Sequence, residues 1–104
     1  MRLTEQNHNA DLAQGFTSDP ERKEGRAITI VARFDGLAAD ARAKLQTSVD
    51  AQTWTDIEPS ATTIAAGQSE QAWTETLLPM GSYLRLVVEP GAQGAIETIK
   101  TLTA

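Results

Sequence analysis

The sequence predicts an all-β domain, an antiparallel β-sandwich or jelly-roll-like fold of about seven short strands. Short stretches alternate apolar and polar residues with the period of two that strands show, and turn residues separate them at fairly even spacing. No long stretch has convincing helical periodicity. At 104 residues the chain has the length of one domain. We place the sandwich at residues 26–104, after a polar N-terminal arm at residues 1–25.

The arm is predicted from composition, because its apolar residues are too sparse for a core-facing pattern. Ser18-Asp19-Pro20 is a turn signal, and a solvated charge cluster follows it at residues 21–24. Residues 11–14 have the composition of a helical turn that Gly15 would end. We therefore expect the arm to lie outside the main core, with a flexible tail as the alternative.

Residues 26–35 give the first clear strand, whose β-branched residues alternate between two faces. The face expected to point inward carries Ile28, Ile30, Ala32 and Phe34. Residues 37–43 are Ala-rich and fit either a helical turn or a plain connection.

Residues 44–57 predict a hairpin. Strand alternation runs to Val49, and Asp50 then supplies turn chemistry, because its carboxylate can accept bonds from backbone amides two or three residues on. Trp54, the largest apolar group nearby, is expected to pack into the core, since a lone hairpin of this size is marginal in water.

Four more strands are predicted, at residues 61–66, 70–78, 82–89 and 95–103. In the second of them the neighbours of Trp73 are polar, which makes this residue either a core side chain or an exposed interface residue. In the third, Leu84 and Leu86 are expected to point inward. The fourth has no purely apolar face and is therefore expected near an edge of a sheet or half exposed.

The composition disfavours most catalytic sites. The single histidine, His8, falls in the arm, and the absence of cysteine removes disulfides and thiolate metal sites. A net charge of −5 disfavours binding to nucleic acid or to an anionic membrane. We find neither a signal-peptide core nor an apolar run of membrane-spanning length, and expect no enzyme activity and no cofactor.

Five acidic residues are candidate ligands for one metal site. They would either gather at one end of the sandwich and bind Ca²⁺ through oxygen ligands, or lie in solvated turns, and the spacing matches no EF-hand loop. We expect solvated turns and no metal. The residues concerned are Asp35, Asp40, Asp50, Asp56 and Glu58.

Two stretches together carry a resemblance to a family. Residues 45–57, Leu-Gln-Thr-Ser-Val-Asp-Ala-Gln-Thr-Trp-Thr-Asp-Ile, resemble the strand, Ser-x-Asp-Gly-x-x-Trp, strand hairpin of small β-sandwich virion proteins of tailed bacteriophages. Residues 81–88 look like the aromatic-Leu-Arg-Leu strand that accompanies this hairpin, and residues 94–103 are similar to its Thr-rich closing strand. The chain departs from the pattern at Ala51, where the family usually has Gly.

The resemblance implies a capsid decoration (cement) protein, made in the host cytoplasm and located on the capsid surface of the virion. Its partner would be the major capsid protein, and a homo-trimer would suit threefold positions. Under this interpretation the arm lies across a neighbouring subunit. It binds that subunit through Leu3, Leu12 and Phe16, apolar residues for which the predicted fold offers no other role. A neck, tail or head-fibre component and a discoidin-like carbohydrate-binding module, with Trp54, Trp73 and Tyr83 as sugar-stacking rings, are the alternatives.

Overall fold

The computed structural model describes residues 2–104, so that Met1 of the predicted arm lies outside the described residues. Ten strands and one short 3-10 helix, Glu58–Ser60, make up the regular structure of this range. The strands are β1 (Arg2–Asp11), β2 (Phe16–Thr17), β3 (Glu21–Arg22), β4 (Ile28–Asp35), β5 (Ala41–Ser48), β6 (Thr55–Asp56), β7 (Thr62–Ile64), β8 (Glu70–Glu75), β9 (Tyr83–Val88) and β10 (Ala95–Thr103).

Two antiparallel sheets form the sandwich. The first has the strand order β1-β10-β4-β8, and the second has the order β2-β9-β5-β6, with β3 also paired to β9 and β7 also paired to β5. The all-β prediction is confirmed, and the seven predicted strands correspond to β4 through β10. The described residues contain no helix of the length and apolarity that crossing a membrane requires.

The core lies between the two sheets and follows the predicted alternation. In β4 the inward residues are buried, and in β9 Leu84 and Leu86 are fully buried, as expected from the sequence. Trp73 of β8 is also buried, with its indole N–H donating to the carbonyl oxygen of Ser60 at 3.0 Å. Of the two predicted roles of Trp73, the core role is therefore the correct one, because the ring is buried and its polar tip has a hydrogen-bond acceptor.

The N-terminal segment is not an arm outside the core, and this part of the prediction is wrong. β1 pairs with β10 along nearly its whole length, while β2 and β3 pair with β9 in the other sheet. Leu12, between β1 and β2, is fully buried in the core cluster. The segment looks polar because it forms the outer strand of each sheet, where only a few apolar side chains are needed.

The closing strand β10 is central, not near an edge, because it lies between β1 and β4. Its register against β4 shifts between Ile96 and Thr98, so that one extra residue enters β10 as a β-bulge. The bulge changes which residues of the strand point inward. Ile96 is buried before the bulge, and the odd-numbered Ile99 and Thr101 are buried after it. A strict period of two cannot detect such a strand, which is why neither face looked apolar.

Candidate functional site

The turn between β5 and β6 is built by two side chains, Ser48 and Asp50. One carboxylate oxygen of Asp50 accepts bonds from the backbone N–H groups of Gln52 (2.9 Å) and Thr53 (3.0 Å) and from the hydroxyl of Ser48 (2.8 Å). The predicted turn role of Asp50 is confirmed. Ala51 has a φ of 61°, in the left-handed region that favours glycine.

These bonds stabilise the ionised carboxylate of Asp50. The bonds from the Thr53 and Gln52 amides, followed by the bond from Ser48, lower the pKa of Asp50 to about 2. The turn therefore presents a fixed negative charge across the physiological pH range.

Trp54 follows this turn and lies half-buried on the outer face of the second sheet, so its predicted place in the core is wrong. The guanidinium carbon of Arg85 lies 4.2 Å from the centre of the Trp54 ring, in a cation–π contact. The hydroxyl of Thr47 donates to the carbonyl oxygen of Tyr83 at 3.0 Å. The two stretches that carry the family resemblance thus contact each other directly, across the paired strands β5 and β9.

A cleft of about 500 Å³ opens between this hairpin and the loop that joins β8 to β9. Most of its exposed lining is apolar. The lining residues are Thr47, Ser48, Val49, Thr53, Thr55, Leu78, Pro79, Met80, Gly81 and Ser82.

Two large apolar residues of the lining, Val49 and Met80, face solvent, and so does Leu77, which precedes Leu78 of the lining. Val49 is 89% exposed, Leu77 is 91% exposed and Met80 is 67% exposed. We call these three residues and the cleft the end surface. In residues 2–104 only one other large hydrophobic residue, Leu3, is comparably exposed. Clustered exposed apolar groups mark sites of interaction more often than scattered ones do.

The residues predicted to bind a partner are dispersed by the fold. Leu3 lies on the outer face of β1 and is 66% exposed, whereas Leu12 is buried and Phe16 packs against the core. His8 contacts the Phe16 ring edge-on, with ring centres 4.8 Å apart. Leu3, Leu12 and Phe16 therefore do not form one surface.

Two of the three potential sugar-stacking rings, Trp54 and Trp73, are covered wholly or on one face by other parts of the protein. Trp73 is buried, and one face of the Trp54 ring is covered by Arg85. A second, smaller cleft of about 270 Å³ lies beside Trp73, between Pro59 and Thr74. The geometry gives no pair of exposed aromatic rings at either cleft.

The acidic side chains take part in local contacts. Asp40 accepts a bond from the backbone N–H of Ala66 at 2.9 Å, and Asp56 pairs with Lys44 at 2.9 Å. Within the described part of the chain, no three His, Asp or Glu side chains are grouped closely enough to hold a metal ion.

Sequence reasoning missed the end surface, although the sequence contains a signal for it. Leu77-Leu78-Pro79-Met80 is an apolar run that coincides with a turn, where a strand face cannot bury it. Val49 likewise ends a strand at the position where the chain turns. The strand pattern includes Val49 and Leu77 in predicted strands and leaves Met80 in a turn, and it gives no indication that the three side chains are exposed.

No protein-family model matches the chain, and neither does any curated protein. Solved structures do match it. One of them, a crystal structure of FLHE, is 14% identical, with a TM-score of 0.45, and the match covers 95% of this chain and 90% of that chain. A similarity at this level gives no indication of what the chain binds.

Proposed function

We propose that this chain is a non-enzymatic structural protein of a tailed-phage virion, and specifically a capsid decoration protein. In this proposal it binds the outer surface of the capsid and stabilises the junctions between subunits. The observation that carries the proposal is the end surface, where Val49 and Met80 face solvent at an apolar cleft and the exposed Leu77 lies next to the lining residue Leu78. A surface of this kind is suited to burial against another protein.

The geometry of the hairpin supports the choice of family. In the phage pattern a glycine follows the Asp of the turn, and here the same position is occupied by Ala51 in a glycine-like conformation. The Trp of the hairpin motif also stacks on the Arg of the aromatic-Leu-Arg-Leu strand. The Asp, the residue after it, the Trp and the Arg of the pattern thus each have a structural role in this chain.

The proposed docking mode differs from the arm-mediated one that the sequence favoured. Residues 2–25 are part of the sandwich, so the contact is assigned to the end surface. The occupant of the cleft is a loop of the capsid subunit that presents apolar side chains next to a basic residue. The basic residue is required because the ionised Asp50 carboxylate adjoins Val49 at the rim of the cleft.

Repetition over the shell supplies the stabilising effect. A single contact of this size is modest, since each large apolar side chain contributes about 1.5–3 kcal/mol when it is fully buried. Many identical contacts on a symmetric capsid add to the free energy of the assembled shell, because the protein binds the assembled form preferentially.

The test is binding to capsids of the source phage that lack this protein, measured by co-sedimentation. The substitution Met80→Asp places a charge at the centre of the end surface and is expected to weaken binding by about tenfold or more. Leu3→Asp is the matched control, because it changes an equally exposed apolar residue on β1, outside the end surface. Loss of binding in Leu3→Asp alone would move the contact to the outer strand of the first sheet.

Copy number in purified virions separates the decoration role from the other virion roles. Quantitative mass spectrometry is expected to find a number comparable to that of the major capsid protein. A handful of copies per particle would assign the protein to the neck or tail, and complete absence from the particle would refute the virion proposal.

A further inference from the structure

A buried lysine lies behind the end surface and has no role in the function proposed so far. The side chain of Lys23 is 1% exposed, although lysine is almost never fully buried without a partner. Its ammonium group donates to the carbonyl oxygen of Leu78, which is part of the loop between β8 and β9. This loop carries Leu77 and Met80.

The backbone of Lys23 also contacts the same loop, through two hydrogen bonds. Its N–H donates to the carbonyl oxygen of Ser82 at 2.8 Å, and its carbonyl oxygen accepts a bond from the N–H of Gly81 at 2.7 Å. Lys23 therefore contacts the loop at three points, which lie on both sides of Met80.

The other end of the loop is held by Glu75, the last residue of β8. Its carboxylate accepts bonds from the backbone N–H groups of both Leu77 and Leu78. Leu78 is the point where the two anchors meet, since its N–H bonds to Glu75 and its carbonyl oxygen bonds to Lys23. The exposed side chains of Leu77 and Met80 are thus carried on a backbone that is fixed from both sides.

We infer that Lys23 is the positioning residue of the end surface, the group that fixes the 76–82 loop in the conformation that receives the partner. This inference rests on the proposed docking role of that surface. A preformed loop loses less conformational entropy on binding than a mobile one does, so the anchor raises affinity without touching the partner. It also explains why a lysine is kept in the interior, where an apolar residue of similar length would fill the same space.

The first test needs no partner. The substitution Lys23→Met preserves the length and apolar stem of the side chain but removes the donor to Leu78. We expect faster amide hydrogen exchange and lower backbone order parameters at residues 77, 78, 80 and 81, which have a backbone N–H, with exchange in β4, β5 and β10 unchanged. Lys100→Met is the matched control, because it makes the same substitution at an exposed lysine on β10. Unchanged loop dynamics in Lys23→Met would overturn the inference.

The wild-type protein provides a measurement that does not depend on whether the variant folds. Its order parameters at residues 77, 78, 80 and 81 are expected to match those of the adjacent strands, at about 0.85. Values below about 0.6 would mean that Lys23 does not fix the loop, and would refute the positioning role.

The second test uses the capsid. At a temperature where both proteins are fully folded, Lys23→Met is expected to bind capsids about tenfold more weakly than the wild type, mainly through faster dissociation. Equal capsid binding by the two proteins, in spite of a loosened loop, would refute the positioning role. Failure of the wild-type protein itself to bind capsids would refute the capsid proposal. The loop measurements would still decide whether Lys23 fixes the loop, because they need no partner.

Discussion

Ala51 is a point of backbone strain at the tip of the β5–β6 hairpin. Among residues 2–104, only Ala51 and Asn9 have a positive φ without being glycine, and asparagine tolerates that region better than alanine does. We expect Ala51→Gly to raise the free energy of unfolding by about 0.5–1 kcal/mol, because relief of the left-handed strain exceeds the added entropy of the unfolded chain. Urea unfolding checks this value, and an unchanged or lower midpoint would contradict it.

Asp50 makes the same turn sensitive to acid. Its pKa is about 2 in the folded protein, below the usual value of 3.8, so its ionised form contributes stability that is complete above about pH 4–5. That contribution is lost as the pH falls through 4 towards 2. The stability difference between the wild type and Asp50→Asn is expected to shrink over this window, as measured by urea unfolding at pH 5.5, 3 and 2. The other carboxylates are common to both proteins and cancel in the difference.

Among the strands, those within residues 2–25 are needed for the sandwich to fold. Their removal would strip β10 of one neighbour, uncover one side of β9 and take Leu12 out of the core. We therefore expect the protein with residues 2–25 deleted to lose its cooperative thermal unfolding transition, monitored by circular dichroism. An arm outside the core would give the opposite result, a truncated protein that melts near the wild-type midpoint.

Both edges of the second sheet consist of short separate strands, β2 and β3 beside β9 and β6 and β7 beside β5. Serine side chains supply hydrogen bonds in the gaps between these short strands. Between β2 and β3, the hydroxyl of Ser18 accepts a bond from the N–H of Leu86 at 2.8 Å. On the other edge, the hydroxyl of Ser60 accepts a bond from the N–H of Leu45 at 2.8 Å. Each hydroxyl takes the place of a backbone carbonyl where no strand continues, so that a buried donor keeps its partner.

The strands were predictable where the period of two is unbroken. β4 and β9 alternate regularly, and the sequence placed their inward residues correctly. The sequence of β10 suggests a strand near an edge or half exposed because its bulge shifts the phase within the strand, and β1 escapes prediction because Thr4, Gln6 and His8 make its inward side polar. These side chains bond to one another and to Glu21, which replaces the apolar contacts that a core strand would make.

At the scale of the molecule, the site was less predictable than the fold. Asp50 was identified as a turn residue because its bonds are local in sequence. The end surface depends on two turns, one at Val49 and one that begins at Leu77, 28 positions later, and only the strand register brings them together. The anchor Lys23 depends on a third segment, and its charge made it look like part of a solvated cluster.

The register of the first sheet also fixes where the ends of the described chain lie. Arg2 pairs with Thr103, Thr103 with Ile28, and Ile28 with Glu75, so that all four lie at one end of the sheet, across about 14 Å. Leu77 follows two residues after Glu75, so this is the end that carries the end surface. A fluorescent protein or affinity tag joined at Ala104 would emerge at the same end of the sandwich as the end surface and compete with the partner for space. The turns at Gly36 and Gly91, at the far end of the sandwich, are the better places to insert a label or a displayed peptide.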